Sequence, residues 1–384
     1  MASRPLMLLA LNHWGGNDLA ATVAVVFLVT LLAMSISGFD THRLFYQAYF
    51  SQPRIRGTRL SHRTYIASTA LQIVMVGPLL MVFVGLWFGD SLLALLVTAY
   101  FASERLADES QRFLIFDGQR QEWGKCILTK AMLQLAGVFA AVMLLHSAAT
   151  HLIVVCLLVG NLVAYGSKLS WHDLPWQRKA WHAALYSCFN QRMFWILSVI
   201  STLISYLDRV IVMLFQQSDM AVYTILVSCM SIIQNLIEYF FLSFRRRDIL
   251  QGHLTLKGVF LSKLLYLILL GGAALGAVAS IGMLRLYHGG QIDNIELIPI
   301  VLLTQLTLAI TLLLREIIYW NHRVQHLLML EIAFVVCSLI AAGLIRLNSL
   351  GYEIMLATIF VFFALRMGLM IWGISRAQNK VPVI

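Results

Sequence analysis

Residues 259–286 read VFLSKLLYLILLGGAALGAVASIGMLRL, with Lys263 near one end, Arg285 near the other and no charge between them. A helix needs about 20 mainly apolar residues to cross the hydrocarbon of a bilayer, and this stretch has them. Gly272 and Gly276 within it form a small-xxx-small pair, the spacing that lets a second helix approach closely. The stretch is therefore a membrane span built to pack against a neighbour.

Working outward, ten further stretches have the same character, near 19–37, 66–88, 91–104, 129–147, 150–167, 191–213, 221–244, 296–314, 328–346 and 353–375. The third is short and runs into a polar stretch, Glu104 to Lys125, in which Asp117-Gly118 reads as a helix stop. Gly77-Pro78 lies inside the second, where a proline removes one backbone hydrogen bond, as a hinge or simply as shape. The opening Met1–Leu11 has one arginine, Arg4, and an apolar run too short to span. It lacks a small-residue cleavage site, so no signal peptide is expected.

The whole composition agrees. Of 384 residues, 60% are hydrophobic and 12% charged, and the mean hydropathy is +0.81. Soluble domains carry about 45–50% apolar and about 25% charged residues, so water is the wrong solvent for this chain. Five cysteines (Cys126, Cys156, Cys188, Cys229 and Cys337) are scattered without a C-x-x-C pair, which suggests neither a disulfide framework nor a zinc site. His322 and His326 share a helix face, but no third metal ligand accompanies them. No cofactor is expected.

Alternate loops hold nearly all the positive charge. Arg54, Arg56, Arg59 and Arg63 fall on one side, with Arg105, Arg112, Arg120, Lys125, Lys168, Arg178, Lys179, Arg245-Arg246-Arg247, Lys257, Arg315, Arg323, Arg376 and Lys380. The other side has short loops such as Gly89-Asp90 and Gln216–Met220. The positive-inside rule puts the first set in the cytoplasm, the C-terminus with it, and the N-terminus in the periplasm. The net charge of +10 is accounted for by this bias, and nucleic acid is not an expected partner.

The expected fold is an all-α polytopic membrane protein of about eleven spans in two lobes. Residues 1–175 form a lobe of about five helices and 176–384 a lobe of about six, joined through Trp171-His172-Asp173-Leu174-Pro175-Trp176. Matching the basic segment after the first span to Arg245-Arg246-Arg247 makes the halves parallel repeats, and in that register the first half lacks its opening helix.

A charge at the centre of a bilayer costs about 2.5–3.5 kcal/mol on insertion scales, so intramembrane charges point to function. Asp208 and Arg209 lie in the outer part of the sixth span, Glu238 in the seventh and Arg366 in the last. Asp40 and Arg43 end the first span and Arg192 opens the sixth. The last three also suit side chains that merely snorkel to water, and Arg366 and Glu238 also suit structural ion pairs. Glu331 and Lys263, nearer span ends, read as structural.

Tyr206-Leu207-Asp208-Arg209-Val210-Ile211-Val212 followed by Met220-Ala221-Val222-Tyr223-Thr224 resembles a stretch of Wzx-type polysaccharide flippases, in the multidrug/oligosaccharidyl-lipid/polysaccharide exporter superfamily. Gly38-Phe39-Asp40-Thr41, with Tyr46 and Ala48, is similar to the segment ending that family's second helix, and Arg112 to Gly118 to a later polar joint. Ala221 stands where the family usually has glycine, and Phe45 where it often has arginine. The resemblance implies a flippase in the bacterial inner membrane that moves an undecaprenyl-diphosphate-linked oligosaccharide by alternating access. It would serve surface polysaccharide or O-antigen synthesis beside a polysaccharide polymerase and chain-length partners. Arg43, Arg192, Arg209 and Arg366 would then hold the anionic head, and Asp40, Asp208 and Glu238 would couple an ion or hold the arginines. A drug or cation antiporter is the alternative. A membrane glycan polymerase is a second, disfavoured because the longest outward loop, His288–Asn294 with its flanks, is short.

Overall fold

The computed structural model describes residues 3–38, 58–116, 119–144, 149–166, 168, 181–182, 185, 192–242, 256–289, 294–320, 324–348 and 351–378. Among them are fifteen α-helices and no strand. In chain order these are α1 (Ser3–Gly15), α2 (Asn17–Gly38), α3 (Thr58–Phe88), α4 (Ser91–Phe116), α5 (Arg120–Leu144) and α6 (Ala149–Tyr165). Then come α7 (Arg192–Ser205), α8 (Leu207–Phe215), α9 (Met220–Met230), α10 (Ile232–Leu236) and a π-helical turn, Ile237–Leu242. The chain finishes with α11 (Leu256–Phe260), α12 (Lys263–Tyr287), α13 (Leu297–Trp320), α14 (Val324–Leu347) and α15 (Tyr352–Gln378).

The eleven stretches read from the sequence are helical over their described residues, apart from short breaks. Among the described residues, seven segments are long and apolar enough to cross a membrane: Asn17–Ser37, Ile66–Phe88, Gln121–Met143, Gln217–Leu236, Lys263–Tyr287, Leu297–Arg315 and Glu353–Ser375. The protein is a polytopic helical membrane protein. Large apolar side chains cover its outer faces, with Leu79 71%, Leu86 82%, Leu270 71% and Val278 70% exposed, a surface that only lipid solvates without cost.

Three expected spans are broken. The sixth parts at Tyr206 into α7 and α8, the seventh at Ser231 and again in the π turn, and the eighth at Leu261–Ser262. The third is longer than expected. α4 does not stop at Glu104 but continues to Phe116, next to the expected stop at Asp117-Gly118, which lies outside the described residues. α3 likewise runs on through Pro78. α1 is a helix of 13 residues, about 20 Å long and short of a crossing. Gly16, at φ +87°, turns the chain from α1 into α2 in a conformation that glycine adopts freely.

The chain forms two compact units, one of Leu6–Thr202 and one of Leu203–Ile384 with Met1–Pro5. The joint expected at 175/176 lies outside the described residues. In the first unit α2 is sheathed nearly all round: Ala20, Ala21 and every residue from Val23 to Thr30 are buried. In the second, α12 buries one narrow stripe, Leu265, Ile268, Gly272, Gly276, Ser280, Leu284 and Tyr287, whose spacing of three or four follows the helical period. The two glycines allow the approach expected of them. A Cβ on Gly272 would lie 3.2 Å from the Cα of Ile233, and one on Gly276 3.3 Å from the Cα of Met230.

Candidate functional site

The Leu6–Thr202 unit carries a chain of buried polar side chains. On α4, Tyr100, Ser103 and Glu104 share one face, and Arg105, Asp108, Glu109 and Arg112 continue toward its C-terminal end. The Tyr100 hydroxyl donates to Glu104 Oε1 at 2.8 Å, and Lys130 Nζ from α5 donates to Oε2 at 2.5 Å. Asn161 on α6 donates to Ser103 Oγ at 2.9 Å, and Gln134 on α5 donates to Asn161 Oδ1 at 3.3 Å and to the Leu157 carbonyl at 3.0 Å. Arg105 donates to Gln72 Oε1 on α3 at 3.4 Å and to Asp108 at 3.2 Å, and it also pairs with Glu109. Arg112 pairs with Asp108 at 2.9 Å.

Glu104, Arg105 and Glu109 are 4%, 1% and 4% exposed. Ions so far from water hold their charge only when paired and hydrogen-bonded, and here each has a partner. Glu104 lies about 20 Å along α4 from Ser91, and Lys130 about 21 Å along α5 from Leu144. Both ends face the expected outer side, so the pair sits at matching depth on the two helices. Sequence reading placed this stretch in a polar joint. The signal for a helix was present: Arg105 and Glu109, and Asp108 and Arg112, are each four apart with opposite charge.

The second unit holds the intramembrane charges singled out in the sequence. Asp208 on α8 is buried. Its Oδ2 accepts a hydrogen bond from the Tyr223 hydroxyl of α9 at 2.8 Å, and its Oδ1 has no partner among the described residues. Arg209 is half-buried with its guanidinium carbon 4.8 Å from the Tyr206 ring centroid, a cation–π contact. The two side chains thus diverge to different partners, as adjacent positions on a helix should. At the far end of α8, Arg346 donates to the Leu214 carbonyl at 3.3 Å and lies 4.8 Å over the Phe215 ring, placing a cation where the helix dipole is negative.

Arg366 on α15 is buried and donates to Glu331 on α14. Glu331, expected to be structural, is its counter-ion. α8 packs against both α14 and α15. Asp208 lies about 10 Å along α8 from Phe215, and Arg366 about 21 Å along α15 from Tyr352. In the same unit, Gln234 on α10 donates to the fully buried Gln305 of α13 at 2.8 Å.

The other residues expected at the site divide in two. Asp40 and Arg43 lie outside the described residues. Arg192 opens α7 and Glu238 falls in the π turn, with side chains outside the described residues. Among the described residues, no cluster of three His, Cys, Asp or Glu side chains is placed to hold a metal.

No protein-family model matches the sequence, and no curated protein matches it either. Among solved structures the chain is similar to the inward-facing conformation of a multidrug resistance MATE family transporter of the MOP superfamily. The TM-score is 0.58 at 10% sequence identity, over 98% of this chain and 94% of that one. At that identity the likeness is one of fold, and it extends over nearly the whole chain.

Proposed function

We propose that this chain is a membrane transporter working by alternating access, and that its cargo is an undecaprenyl-diphosphate-linked oligosaccharide bound for the cell surface. The observation that carries the transport reading is the fold shared along 98% of the chain with a MOP-superfamily transporter. The cargo rests on the resemblance of Tyr206–Val212 and Met220–Thr224 to polysaccharide flippases, and on intramembrane arginines suited to a diphosphate.

Of Arg209 and Arg366, the two arginines whose side chains are described, Arg209 is the better placed. It lies over the Tyr206 ring, is half-buried, and would offer its N–H groups to an anion. Arg366 meets cargo only by exchanging Glu331 for it. Arg43 and Arg192 complete the proposed cationic set, with Asp40, Asp208 and Glu238 as ion-coupling or charge-holding groups. The protein would act in the bacterial inner membrane beside a polysaccharide polymerase and chain-length partners, without catalysing a reaction itself.

A second reading, export of drugs or cations, is favoured by the multidrug designation of the structural neighbour and by the buried carboxylates Glu104, Glu109, Asp208 and Glu331. Lipid extracts and surface-glycan staining of cells lacking the protein separate the two. Build-up of an undecaprenyl-linked oligosaccharide on the inner leaflet, with loss of surface glycan, supports the flippase. Unchanged lipid intermediates with raised drug sensitivity would replace it with the antiporter.

A further inference from the structure

We propose that Asp90 and His151 form a pH-operated clasp at the expected outer ends of α4 and α6, shut while His151 carries its second proton and slack once that proton leaves. The inference is independent of the cargo proposed above.

Asp90 serves two helices. The chain leaves α3 at Phe88, turns at Gly89 with φ +67° and enters α4 at Ser91. Asp90 is thereby the N-cap of α4. Its Oδ1 accepts the Leu93 N–H at 2.9 Å, and its carbonyl accepts the Ala94 N–H at 3.1 Å. The cap fixes the carboxylate and leaves Oδ2 2.8 Å from Nε2 of His151, on the first turn of α6. The Asp90 and His151 side chains are 35% and 36% exposed, so protons from water reach them although α4 and α6 pack together.

Between about pH 5 and about pH 8 the imidazole is the member of the pair that changes charge. A carboxylate that caps a helix, with the helix dipole behind it, stays ionised over that range. α6 packs on α2, α4 and α5. They add no ionisable side chain on α4 before Tyr100, on α5 after Lys130 or on α2 after Asp18. Asp18 and His13 of α1 are exposed, and His146 lies outside the described residues. A neutral imidazole with its proton on Nε2 gives Asp90 one hydrogen bond. The protonated ring gives the same bond with a full charge behind it. The added hold is therefore complete below the histidine range and lost as pH rises through it. It acts on the first turns of α4 and α6, and through the turn at Gly89 on the end of α3.

Hydrogen–deuterium exchange of the full chain in lipid vesicles, read by mass spectrometry at about pH 5 and about pH 8, tests this on peptides that include Leu93 and Ile153. Comparing each variant with the parent at the same pH cancels the pH dependence of exchange itself. Asp90→Asn keeps the cap and removes the charge, and His151→Gln keeps a neutral donor. At about pH 5 each should exchange about two- to fivefold faster than the parent in both peptides, the range of a part-exposed ion pair. At about pH 8 that difference should shrink. The double variant should exchange no faster than the faster single one, because the two side chains act as one. If Asp90→Asn does not fold, His151→Gln alone carries the comparison. No difference at about pH 5, or the same difference at both pH values, would overturn the proposal. So would losses that multiply in the double variant. These rates need no cargo. A clasp found in a protein that moves no lipid-linked sugar would count against the flippase reading and leave this one standing.

Discussion

The guanidinium of Arg366 and the carboxylate of Glu331 face each other between α15 and α14, 2% and 0% exposed, and each supplies the other's counter-charge. A pair so enclosed contributes little net stability as a pair, yet removing one member leaves the other charged and alone. Arg366→Ala and Glu331→Ala should therefore each cost about 3–5 kcal/mol, while Arg366→Met with Glu331→Leu should come close to neutral. Thermal midpoints of the purified variants in one detergent, combined as a double-mutant cycle, measure this. Equal and additive losses would show that the pair is not coupled.

Asp208 depends on a neutral partner. Tyr223→Phe withdraws the hydroxyl at 2.8 Å from a buried carboxylate. A hydrogen bond to a charged group is worth about 1.5–3 kcal/mol, so the variant should fall in that range. Asp208→Asn made in the same background should then cost less than it does alone. Additive effects would mean that the hydroxyl does not support the carboxylate.

The stripe of α12 is selective about volume. Gly272→Val would drive a side chain against the Ile233 backbone, 3.2 Å from where its Cβ would sit, and should cost about 1–3 kcal/mol by overpacking. Gly282 lies on the same helix with nothing within 4 Å of its would-be Cβ, so Gly282→Ala should stay within about 0.5 kcal/mol of the parent. Expression level and melting temperature of the two variants decide whether the stripe is a tight seam.

One pH effect has a definite sign. The Leu93 N–H, donating to Asp90 Oδ1 at 2.9 Å, holds this carboxyl below its ordinary 3.8. His151, with Nε2 2.8 Å from Oδ2, pulls the same way. A carboxyl depressed in the folded state adds stability that is complete above its unfolded pKa and is lost as pH falls through the folded one. The melting temperature should thus drop below about pH 4, and Asp90→Asn should flatten part of that drop. An identical acid limb in the variant would remove Asp90 from the effect.

The spans and the α12 glycine seam were legible in the sequence because both are local: apolar run length sets the first, and four-residue spacing sets the second. The helical course of α4 was half legible. Asp117-Gly118 marked its end, but Glu104, Arg105, Asp108, Glu109 and Arg112 looked like a loop because their charges have no evident solvent in a bilayer. Their solvent is Gln72 and Lys130, which lie 33 and 26 residues away in the chain. The breaks at Tyr206 and Ser231 carry no glycine or proline, so composition could not reveal them. Asp208 and Arg366 were recognised as costly. That one leans on Tyr223 and the other on Glu331 follows only from how the helices pack.

The polar chain of α4 and α5 has a further consequence, in electricity. Glu104, Asp108 and Glu109 carry three negative charges, and Arg105, Arg112 and Lys130 three positive ones, bound to one another. A membrane potential does work of about 2.3 kcal/mol per 100 mV on each unit of charge carried across it. The sum here is zero, and Arg366 with Glu331 also cancels. A membrane potential therefore does no net work on these eight charges when each bound group moves as a unit.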